Sequence, residues 1–559
     1  IRVQYNEAGR RTVSIDPLGV ATQYVYDSLG RLTETRFADG GKTVSTFDSN
    51  GRLTGRTDQE GQTTHYEYDA LRRLTAVVDA LGNRTVYAYD EAGNLVRQQD
   101  ANGNSTRYEY DGLNRRIATQ LPLDQRSTSQ YDPLGNVTST TDFNGDTIRY
   151  EYDARGRLTA KQFPDLTSVN YAYTLTSQRA AVVDARGTTT YQYDSRDRLL
   201  SRVDPDGRQI AYEYDAVGNR TSLILASGTT QYTFDSQNRL ETVTDPEGGL
   251  TRYQYNKLGA LVRTDLPNGT YETRSYDQVG RLNNLENHNS AGLINRFAYT
   301  LDKTGNRTRV AETHGIDSRQ VDYAYDAVYK LLGESITDAN NGNRTIGYTY
   351  DNVGNRLSRV DSVEGSTTYS YDANDRLLAE DLAGVLTQYE YDANGNTLSK
   401  FVNATDQVFY DWDYENRLIE ADVTEGSSTR YIENRYDADG IRVTQTIDGS
   451  ETRYLIDTVQ PYAQVVEEYT PGGVIKVSYI HGNDLISQNR PTDGGKVFYH
   501  VDGLGSTRAL TNALGIVIDR YLYEAFGRML RQTGSTGNVF LYAGEQRDSA
   551  TGLDYLRAR

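Results

Sequence analysis

The sequence predicts an all-β protein in which antiparallel β-hairpins follow one another in a long spiral and form a hollow shell. Three observations lead to this prediction. An aromatic-Asp motif recurs about every 21 residues, each repeat alternates apolar and polar residues, and residues 1–440 show no sustained helical pattern. The length of 559 residues would by itself predict about three or four domains. The repeat overrides that estimate, because repeated units bury their surfaces against their neighbours.

The repeat consists of an aromatic residue and Asp, two variable residues, Gly, then Arg or Asn and an apolar residue. The aromatic position falls at Tyr26, Phe47, Tyr68, Tyr89, Tyr110, Tyr131, Tyr152, Tyr193, Tyr214, Phe234, Tyr255 and Tyr276, loosens at Tyr325 and Tyr350, and continues through Tyr371, Tyr391, Tyr414 and Tyr436. Tyr173 keeps the spacing, but Thr174 follows it. We interpret these representative motif residues as structural: Tyr26, Asp27, Gly30, Tyr68, Asp69, Tyr152, Asp153, Gly156, Tyr214, Asp215 and Gly218.

One unit illustrates the local structure that the motif predicts. Residues 147–152 alternate polar and apolar side chains, which is typical of a strand with one apolar-aromatic face. Asp153 begins a turn in which its side chain can accept a backbone N–H two residues on, and Gly156 supplies a positive φ. A return strand and a second Gly-containing turn complete the unit. Each repeat therefore predicts two strands and two turns.

Such a strip must curl. Roughly 20 repeats give about 40 strands, which extend on the order of 200 Å at the usual strand spacing. Sheets of more than about 10 strands twist out of plane, so the strip is expected to wind into a wall around a space. We expect the tyrosine rings to stack on one another across strands. The wall would enclose barely a small protein, so further repeats or a partner are expected to complete it.

Composition excludes several classes of function. The chain has no cysteine, which rules out disulfides, thiolate zinc sites and a cysteine nucleophile. The net charge is −18, so the chain lacks the excess of basic residues that is typical of a nucleic-acid binder. No apolar run is long enough to span a membrane. The only methionine is Met529 and the chain opens inside a repeat, so we expect a piece of a longer polypeptide.

No cofactor or metal site is predicted. The five histidines form no metal-binding pair, and the Asp-rich turns match no known calcium loop. They are better explained as solvated turn residues. Sugar binding by exposed tyrosine faces stays open as a weaker alternative.

The repeat resembles the YD repeat of the Rhs family, and Tyr150 to Leu158 is close to its consensus. Three C-terminal segments resemble the Rhs repeat-associated core: residues 499–507, 521–527 and 551–559. The resemblance therefore implies a YD-repeat wall over residues 1–440 and an Rhs core over 441–559 that closes the shell.

In this family the wall is a β-cocoon around a C-terminal toxin, as in the B and C subunits of insecticidal toxin complexes, and teneurins carry a similar shell. The resemblance implies three partners: a toxin domain in cis, a secretion or injection apparatus, and a possible further shell subunit. It also implies a protein that is secreted or at the cell surface. The shell itself would not be an enzyme.

The resemblance also implies self-cleavage by an aspartyl element. The Arg-Asp pair of that element matches Arg547 and Asp548, which we regard as candidate catalytic residues. Aspartyl chemistry needs a second carboxylate that shares a proton. In the family, another aspartate and an Asp-Pro cleavage region follow the segment with which this sequence ends. Two rival interpretations remain: a cell-surface adhesion or carbohydrate-binding protein, and an autoprotease in its own right.

Overall fold

The computed structural model describes residues 1–557, and the predicted all-β fold is confirmed in them. Fifty strands form one sheet in which each strand pairs antiparallel with the next along the chain. The described residues contain no α-helix. A short 3₁₀ turn at Tyr542–Gly544 and a two-stranded sheet follow the last long strand. Ala558 and Arg559, which end the core-like segment, lie outside the described residues.

The strands have the following bounds. The first 24 are β1 Arg2–Tyr5, β2 Arg11–Ile15, β3 Ala21–Tyr26, β4 Leu32–Arg36, β5 Lys42–Phe47, β6 Leu53–Thr57, β7 Thr63–Tyr68, β8 Leu74–Val78, β9 Arg84–Tyr89, β10 Leu95–Gln99, β11 Ser105–Tyr110, β12 Arg116–Gln120, β13 Arg126–Tyr131, β14 Val137–Thr141, β15 Thr147–Tyr152, β16 Leu158–Gln162, β17 Ser168–Tyr173, β18 Arg179–Asp184, β19 Gly187–Tyr193, β20 Leu199–Val203, β21 Gln209–Tyr214, β22 Arg220–Leu225, β23 Gly228–Phe234 and β24 Leu240–Thr244. The remainder are β25 Leu250–Tyr255, β26 Leu261–Asp265, β27 Tyr271–Tyr276, β28 Leu282–Asn289, β29 Gly292–Leu301, β30 Arg307–His314, β31 Asp317–Tyr325, β32 Leu331–Asp338, β33 Arg344–Tyr350, β34 Arg356–Asp361, β35 Gly365–Tyr371, β36 Leu377–Leu382, β37 Val385–Tyr391, β38 Thr397–Asn403, β39 Asp406–Trp412, β40 Leu418–Glu425, β41 Ser428–Tyr436, β42 Arg442–Ile447, β43 Ser450–Asp457, β44 Gln464–Tyr469, β45 Ile475–His481, β46 Leu485–Arg490, β47 Gly495–Val501, β48 Thr507–Asn512, β49 Val517–Tyr523, β50 Met529–Thr533, β51 Gln546–Arg547 and β52 Asp554–Tyr555.

The wall and the C-terminal segment share one sheet. Strands β1–β41 end at Tyr436, close to the expected 40 strands for residues 1–440, and β42–β50 continue the same antiparallel pairing. Secondary structure therefore does not change at residue 440. Beyond β42 the strands contact parts of the wall that lie far away in sequence.

The turn of each motif is held by its Asp. Oδ1 of Asp153 accepts the backbone N–H of Arg155 at 2.9 Å and that of Arg157 at 3.0 Å. Gly156 has φ +73° and donates its N–H to the Asp153 carbonyl at 2.9 Å. The β15–β16 register shifts at Tyr152, as expected of a turn that ends in a glycine bulge. The hydrogen bond from the Arg157 side chain lowers the pKa of Asp153.

The motif turn keeps a residue with positive φ at the same position even where Gly is absent. Other residues take a positive φ at the same place in the motif: Arg72, Asn114, Ser177, Asp197, Asn238, Tyr329, Asp375 and Asn416. Asn and Asp tolerate this conformation better than other non-glycine residues. The hairpin spacing therefore depends on the turn conformation and not on Gly itself.

The strip winds on itself about once every 250 residues. Asn144 donates to Asp392 at 2.9 Å across 248 residues, and Asn394 donates back to Asp142 at 2.6 Å. Lys161 pairs with Glu415 across 254 residues. In the Asn–Asp contacts a second turn of the first coil meets a motif turn of the second coil, and Lys161 reaches the motif turn of Glu415 from strand β16. We call these two borders the second-turn edge and the motif-turn edge.

The spiral narrows toward its C-terminal end. The separation between contacting residues is 243 for Asn268 and Thr511, and 196 for Glu312 and Arg508. Strands β43–β47 also pack against the tyrosine face of the first coil, where Tyr212 and Tyr253 join Leu455 and other apolar side chains in one buried cluster. The C-terminal strands thus cover both an edge and part of the tyrosine face of the first coil.

The winding leaves a hollow particle. The accessible surface is 27734 Å², whereas a compact monomer of this length would expose about 20,000 Å². A single-layer wall has two faces, and in the first coil the tyrosine face is only half-buried. The surplus area is what a wall around a space would produce, in agreement with the predicted shell.

The turn geometry gives a first prediction. Replacing Gly156 by Val should destabilise the β15–β16 hairpin by about 2 kcal/mol, because a β-branched residue is strained at positive φ. No side-chain clash contributes, since the nearest atom to an added Cβ would be Asn136 Oδ1 at 3.7 Å. Amide hydrogen exchange of β15 and β16 measures the change.

Gly112 supplies the matched control. It lies in an equivalent motif turn, lacks a positive φ, and would place a Cβ in open space. Gly112→Ala should therefore leave exchange in β11 and β12 unchanged or slower. Equal destabilisation by both substitutions would contradict the assigned role of the left-handed position.

Candidate functional site

Where the motif carries an arginine, this residue joins its repeat to the next, and we call this contact the repeat clamp. Arg52 donates from Nε to its own Asp48 and from Nη1 to the carbonyl of Asp69 in the following repeat, at 2.6 and 2.9 Å. Its guanidinium also lies 5.2 Å from the ring centre of Tyr68. Each arginine thus meets a carboxylate, an aromatic face and a main-chain carbonyl at once.

The clamp recurs along the wall. Arg198 donates to the Asp215 carbonyl at 2.8 Å and lies 4.8 Å from the centre of the Tyr214 ring. The same arrangement of guanidinium over the next aromatic ring is found at Arg31, Arg73, Arg115, Arg157, Arg239, Arg376 and Arg417. The residues of the motif therefore act together across repeat boundaries.

The tyrosine hydroxyl makes a third connection. Tyr26, Tyr68 and Tyr214 donate to main-chain carbonyls 15 residues earlier, at 2.9, 3.0 and 2.9 Å. The acceptors lie on the return strand of the preceding repeat. Each ring therefore spans two strands, and its polar end is satisfied by the backbone.

Two sequence-based expectations about the aromatic residues are wrong. In residues 1–557 none of the aromatic pairs joins the motif rings of neighbouring repeats, because the arginine of the clamp occupies the ring face. The motif position near residue 413 belongs to Trp412, whose Nε1–H donates to the Thr397 carbonyl as the tyrosine hydroxyls do. Tyr414 lies inside the turn and stacks on Phe163 of the first coil.

Asp548 lies in a buried polar cluster at the C-terminal hairpin. It is 8% exposed, and Oδ2 accepts from Gln445 Nε2 at 2.5 Å and Arg442 Nη1 at 3.1 Å. Oδ1 accepts the backbone N–H groups of Ala550 and Thr551. In the described part of the chain no second carboxylate is hydrogen-bonded to Asp548. The cluster fastens the end of the chain to strand β42.

Arg547 points elsewhere. Its side chain is 45% exposed and pairs with Asp554 across the β51–β52 hairpin at 3.2 Å. The structure therefore places Arg442, and not Arg547, against Asp548. Nothing in the local sequence signals this contact, because Arg442 lies 106 residues earlier.

A cavity adjoins this cluster. It has a volume of about 490 Å³, and its lining includes Tyr555, Gln546 and His481. Tyr555 accepts the backbone N–H of Arg442 through its hydroxyl at 2.7 Å, with the Arg442 guanidinium over its ring. Burial lowers the pKa of His481 to about 4, so this imidazole is neutral at ordinary pH.

Family comparison agrees with the repeat and the core-like segments. The teneurin YD-shell model matches residues 1–185 and 270–559, and the RHS repeat model matches four overlapping stretches between 175 and 271. The chain belongs to the teneurin YD-shell family. The predicted resemblance to YD-repeat proteins is thereby confirmed.

Curated relatives of this YD-shell chain include toxins. It is 27% identical over 234 residues to the tRNA3(Ser)-specific nuclease WapA of Bacillus spizizenii, which covers 41% of the chain and 10% of the relative. It is 23% identical over 299 residues to the double-stranded DNA deaminase toxin A of Burkholderia cenocepacia, covering 50% and 19% respectively. The chain thus spans about a tenth of WapA and a fifth of the deaminase toxin.

Solved structures share the YD-shell fold over its whole length. The crystal structure of TcdB2-TccC3 aligns with a TM-score of 0.84 at 17% identity, covering 100% of the chain and 34% of that structure. A Tc holotoxin pore from Photorhabdus luminescens aligns with a TM-score of 0.82 at 17% identity, covering 100% and 33%. Within residues 1–557 of the YD shell, no helix is long and apolar enough to cross a membrane.

The repeat clamp gives a second prediction. Arg157→Ala should destabilise the β15–β18 region by about 1–2 kcal/mol, since it removes a ring contact and hydrogen bonds to Asp153 and Thr174. Arg157→Lys should recover only part of this, because lysine cannot make the forked contacts. Chemical denaturation followed by local hydrogen exchange measures both.

Arg149 is the control for this substitution. It lies on the exposed face of β15 in the same repeat. Arg149→Ala should change the free energy of unfolding by less than about 0.5 kcal/mol. If Arg149→Ala costs as much as Arg157→Ala, the clamp is not the source of the coupling between repeats.

Proposed function

We propose that this chain is the wall of a shell that encloses a C-terminal toxic effector of the same polypeptide for export and delivery. The observation that carries the proposal is the accessible surface area. It exceeds that of a compact monomer of this length, because the sheet winds around a space instead of forming a solid core. The names of the relatives, a tRNA nuclease and a DNA deaminase toxin, support a toxic cargo. The wall contributes containment and no chemistry of its own.

This function defines the partners and the location. The cargo would be joined in cis beyond this part of the chain, and a secretion or injection apparatus would carry the loaded shell. The protein would then be found outside the producing cell or at its surface. The net charge of −18 supports a wall that does not itself bind nucleic acid.

The motif-turn edge of the first coil supports a further shell segment. Apolar residues in these turns are strongly exposed, and they include Leu29, Leu71, Leu113, Leu134, Leu175 and Val217, at 69, 70, 69, 83, 91 and 72%. The equivalent turn residues of the second coil, such as Val279, Val353 and Asn374, are not exposed because the first coil covers them. We propose that another strip of YD repeats covers the exposed row in the same way.

The chemistry of that strip can be specified from the existing seam. Asn144 and Asn394 lie at corresponding turn positions and exchange hydrogen bonds with Asp392 and Asp142. A covering strip should therefore present second turns that carry Asp and Asn. Its source is either the same polypeptide or a separate shell subunit.

Electron microscopy of the full-length protein tests containment. The expected particle has a closed wall, extra strands on the motif-turn edge of the first coil, and density inside. Limited proteolysis of the same sample should leave the effector intact while the shell is folded, and cleave it after denaturant opens the wall. A filled particle without a lumen, or an effector digested before the wall opens, would overturn the proposal.

Self-cleavage is a separate proposal, with Asp548 as the catalytic candidate and Arg547 as its accompanying residue. Burial and an arginine partner support a functional carboxylate at Asp548, whereas the exposed Arg547 faces Asp554. The second carboxylate would have to come from outside the cluster described above. Asp548→Asn in the full-length protein should therefore stop cleavage between shell and effector.

Asp554→Asn is the matched control. Asp554 belongs to the same hairpin and is 45% exposed, so its loss should leave cleavage intact. Gel analysis gives the cleaved fraction, and electron microscopy shows whether each variant still forms the shell. Cleavage of a well-formed Asp548→Asn shell at the normal rate would exclude the catalytic role.

A surface adhesion or carbohydrate-binding role has weaker support. The repeat clamp covers one face of the motif rings, and several of their hydroxyls are donated to the main chain. Few of the features by which a tyrosine face recognises a sugar are left available.

A further inference from the structure

Two buried carboxylates meet at the seam between the second coil and the C-terminal strands. Glu334 lies on β32, and Glu524 begins the turn after β49. They are 3% and 6% exposed. The hydroxyl of Tyr348 on β33 lies 2.9 Å from Glu334 Oε1 and 3.1 Å from Glu524 Oε2.

Tyr348 has one hydroxyl hydrogen but makes two hydrogen-bond contacts with carboxylates at this site. A tyrosine hydroxyl has a single hydrogen, so Tyr348 can donate to only one of the two carboxylates. Its second short contact is a hydrogen bond only if the other carboxyl group is protonated and donates to the hydroxyl oxygen. With both groups ionised, two negative charges would share a dry site around one donor, which is costly.

The surroundings do not supply a compensating cation. Within residues 1–557 no lysine, arginine or histidine nitrogen lies within 4 Å of either carboxylate. The charged or titratable groups that face the site from neighbouring elements are Arg319, Tyr323 and Tyr325 on β31, Arg356 and Arg359 on β34, and Tyr542 in the 3₁₀ turn. The arginines lower the charge penalty from a distance but do not replace the missing proton.

We propose that Glu334, Tyr348 and Glu524 hold one shared proton, which makes the closure of the C-terminal strands onto the second coil depend on pH. The carboxylates also bind the turn that forms the seam. Glu334 accepts the backbone N–H of Ala525, and Glu524 accepts those of Phe526 and Arg528. When the site holds the proton, it joins the C-terminal strands to the second coil. When both carboxylates are ionised, their repulsion weakens this contact.

The direction of the pH effect follows from the raised affinity for the proton. Burial, together with the neighbouring Glu524, raises the pKa of Glu334 to about 7 from its ordinary value of 4.5. A carboxyl with a raised pKa in the folded state contributes its full stabilisation below the unfolded value. That contribution is lost as the pH rises toward 7. The seam is therefore tighter in acid and looser at neutral pH.

Glu364 shows what an ordinary ion pair does at the same seam. It bonds to Arg344, Arg359 and Arg528. Burial alone would raise its pKa, but the hydrogen bond from Arg344 and the charge of Arg528 hold it below the ordinary value. This carboxylate keeps its charge in the pH range where the shared proton is lost, so only the shared-proton site responds to pH there.

Hydrogen exchange of this chain tests the proposal directly. After correction for the intrinsic pH dependence of exchange, amides of residues 524–528 should be better protected at pH 5.5 than at pH 7.5. The opening equilibrium of this turn should change by up to about tenfold per pH unit between pH 5 and 7. Equal corrected protection at both values would overturn the proposal.

Variants distinguish the shared proton from general acid effects. Glu334→Gln keeps the shape and carries no charge, so the turn should stay protected at pH 7.5 and lose its pH dependence. Glu433→Gln, an exposed carboxylate on β41, should behave as the unaltered chain. If Glu334→Gln keeps the same pH dependence, another group controls the seam, and the assignment fails.

Discussion

The motif arginines each belong to two repeats at once, and the integrity of the wall depends on this shared contact. The Asp of the same motif fixes the guanidinium, which then covers the next aromatic ring and reaches the next Asp carbonyl. A single-layer sheet cannot bury both of its faces, so it lacks the core that stabilises a sandwich. Repeated polar and cation–π contacts supply cohesion along the strip in place of that core.

Consecutive pairing leaves few strand edges exposed in this fold. A sheet of 50 strands with consecutive pairing has only two unpaired strand edges, one at β1 and one at β50. The turns form the long borders instead, and their Asp and Asn side chains bond to each other where coils meet. The same turn chemistry therefore shapes the hairpins and joins the coils. The narrowing toward the C-terminus brings β43–β47 onto the tyrosine face of the first coil.

Sequence periodicity predicted the strands and turns because both depend on neighbouring residues. The alternation of side chains and the Asp and Gly positions were sufficient for one unit, and repetition supplied the rest. The aromatic-Asp spacing misled only at Tyr414, where Trp412 takes the motif place through its indole N–H. The ring contacts were missed because a strand pattern shows which face a tyrosine occupies, but not that Arg157 or Arg198 will cover the ring. The partners of Asp548 were beyond prediction, since Arg442 meets it only after the chain has wound round.

The two ends of the chain therefore differ in how they are held together. The wall is built from contacts 4 to 17 residues apart, so each repeat can form as soon as its neighbour exists. The C-terminal strands depend on buried charges that meet across 196 and 237 residues, namely Arg508 with Glu312 and Arg220 with Asp457. Those contacts cannot exist before most of the spiral is in place, and each would be costly if left unpaired. These long-range contacts therefore form late, after the repeats that they join.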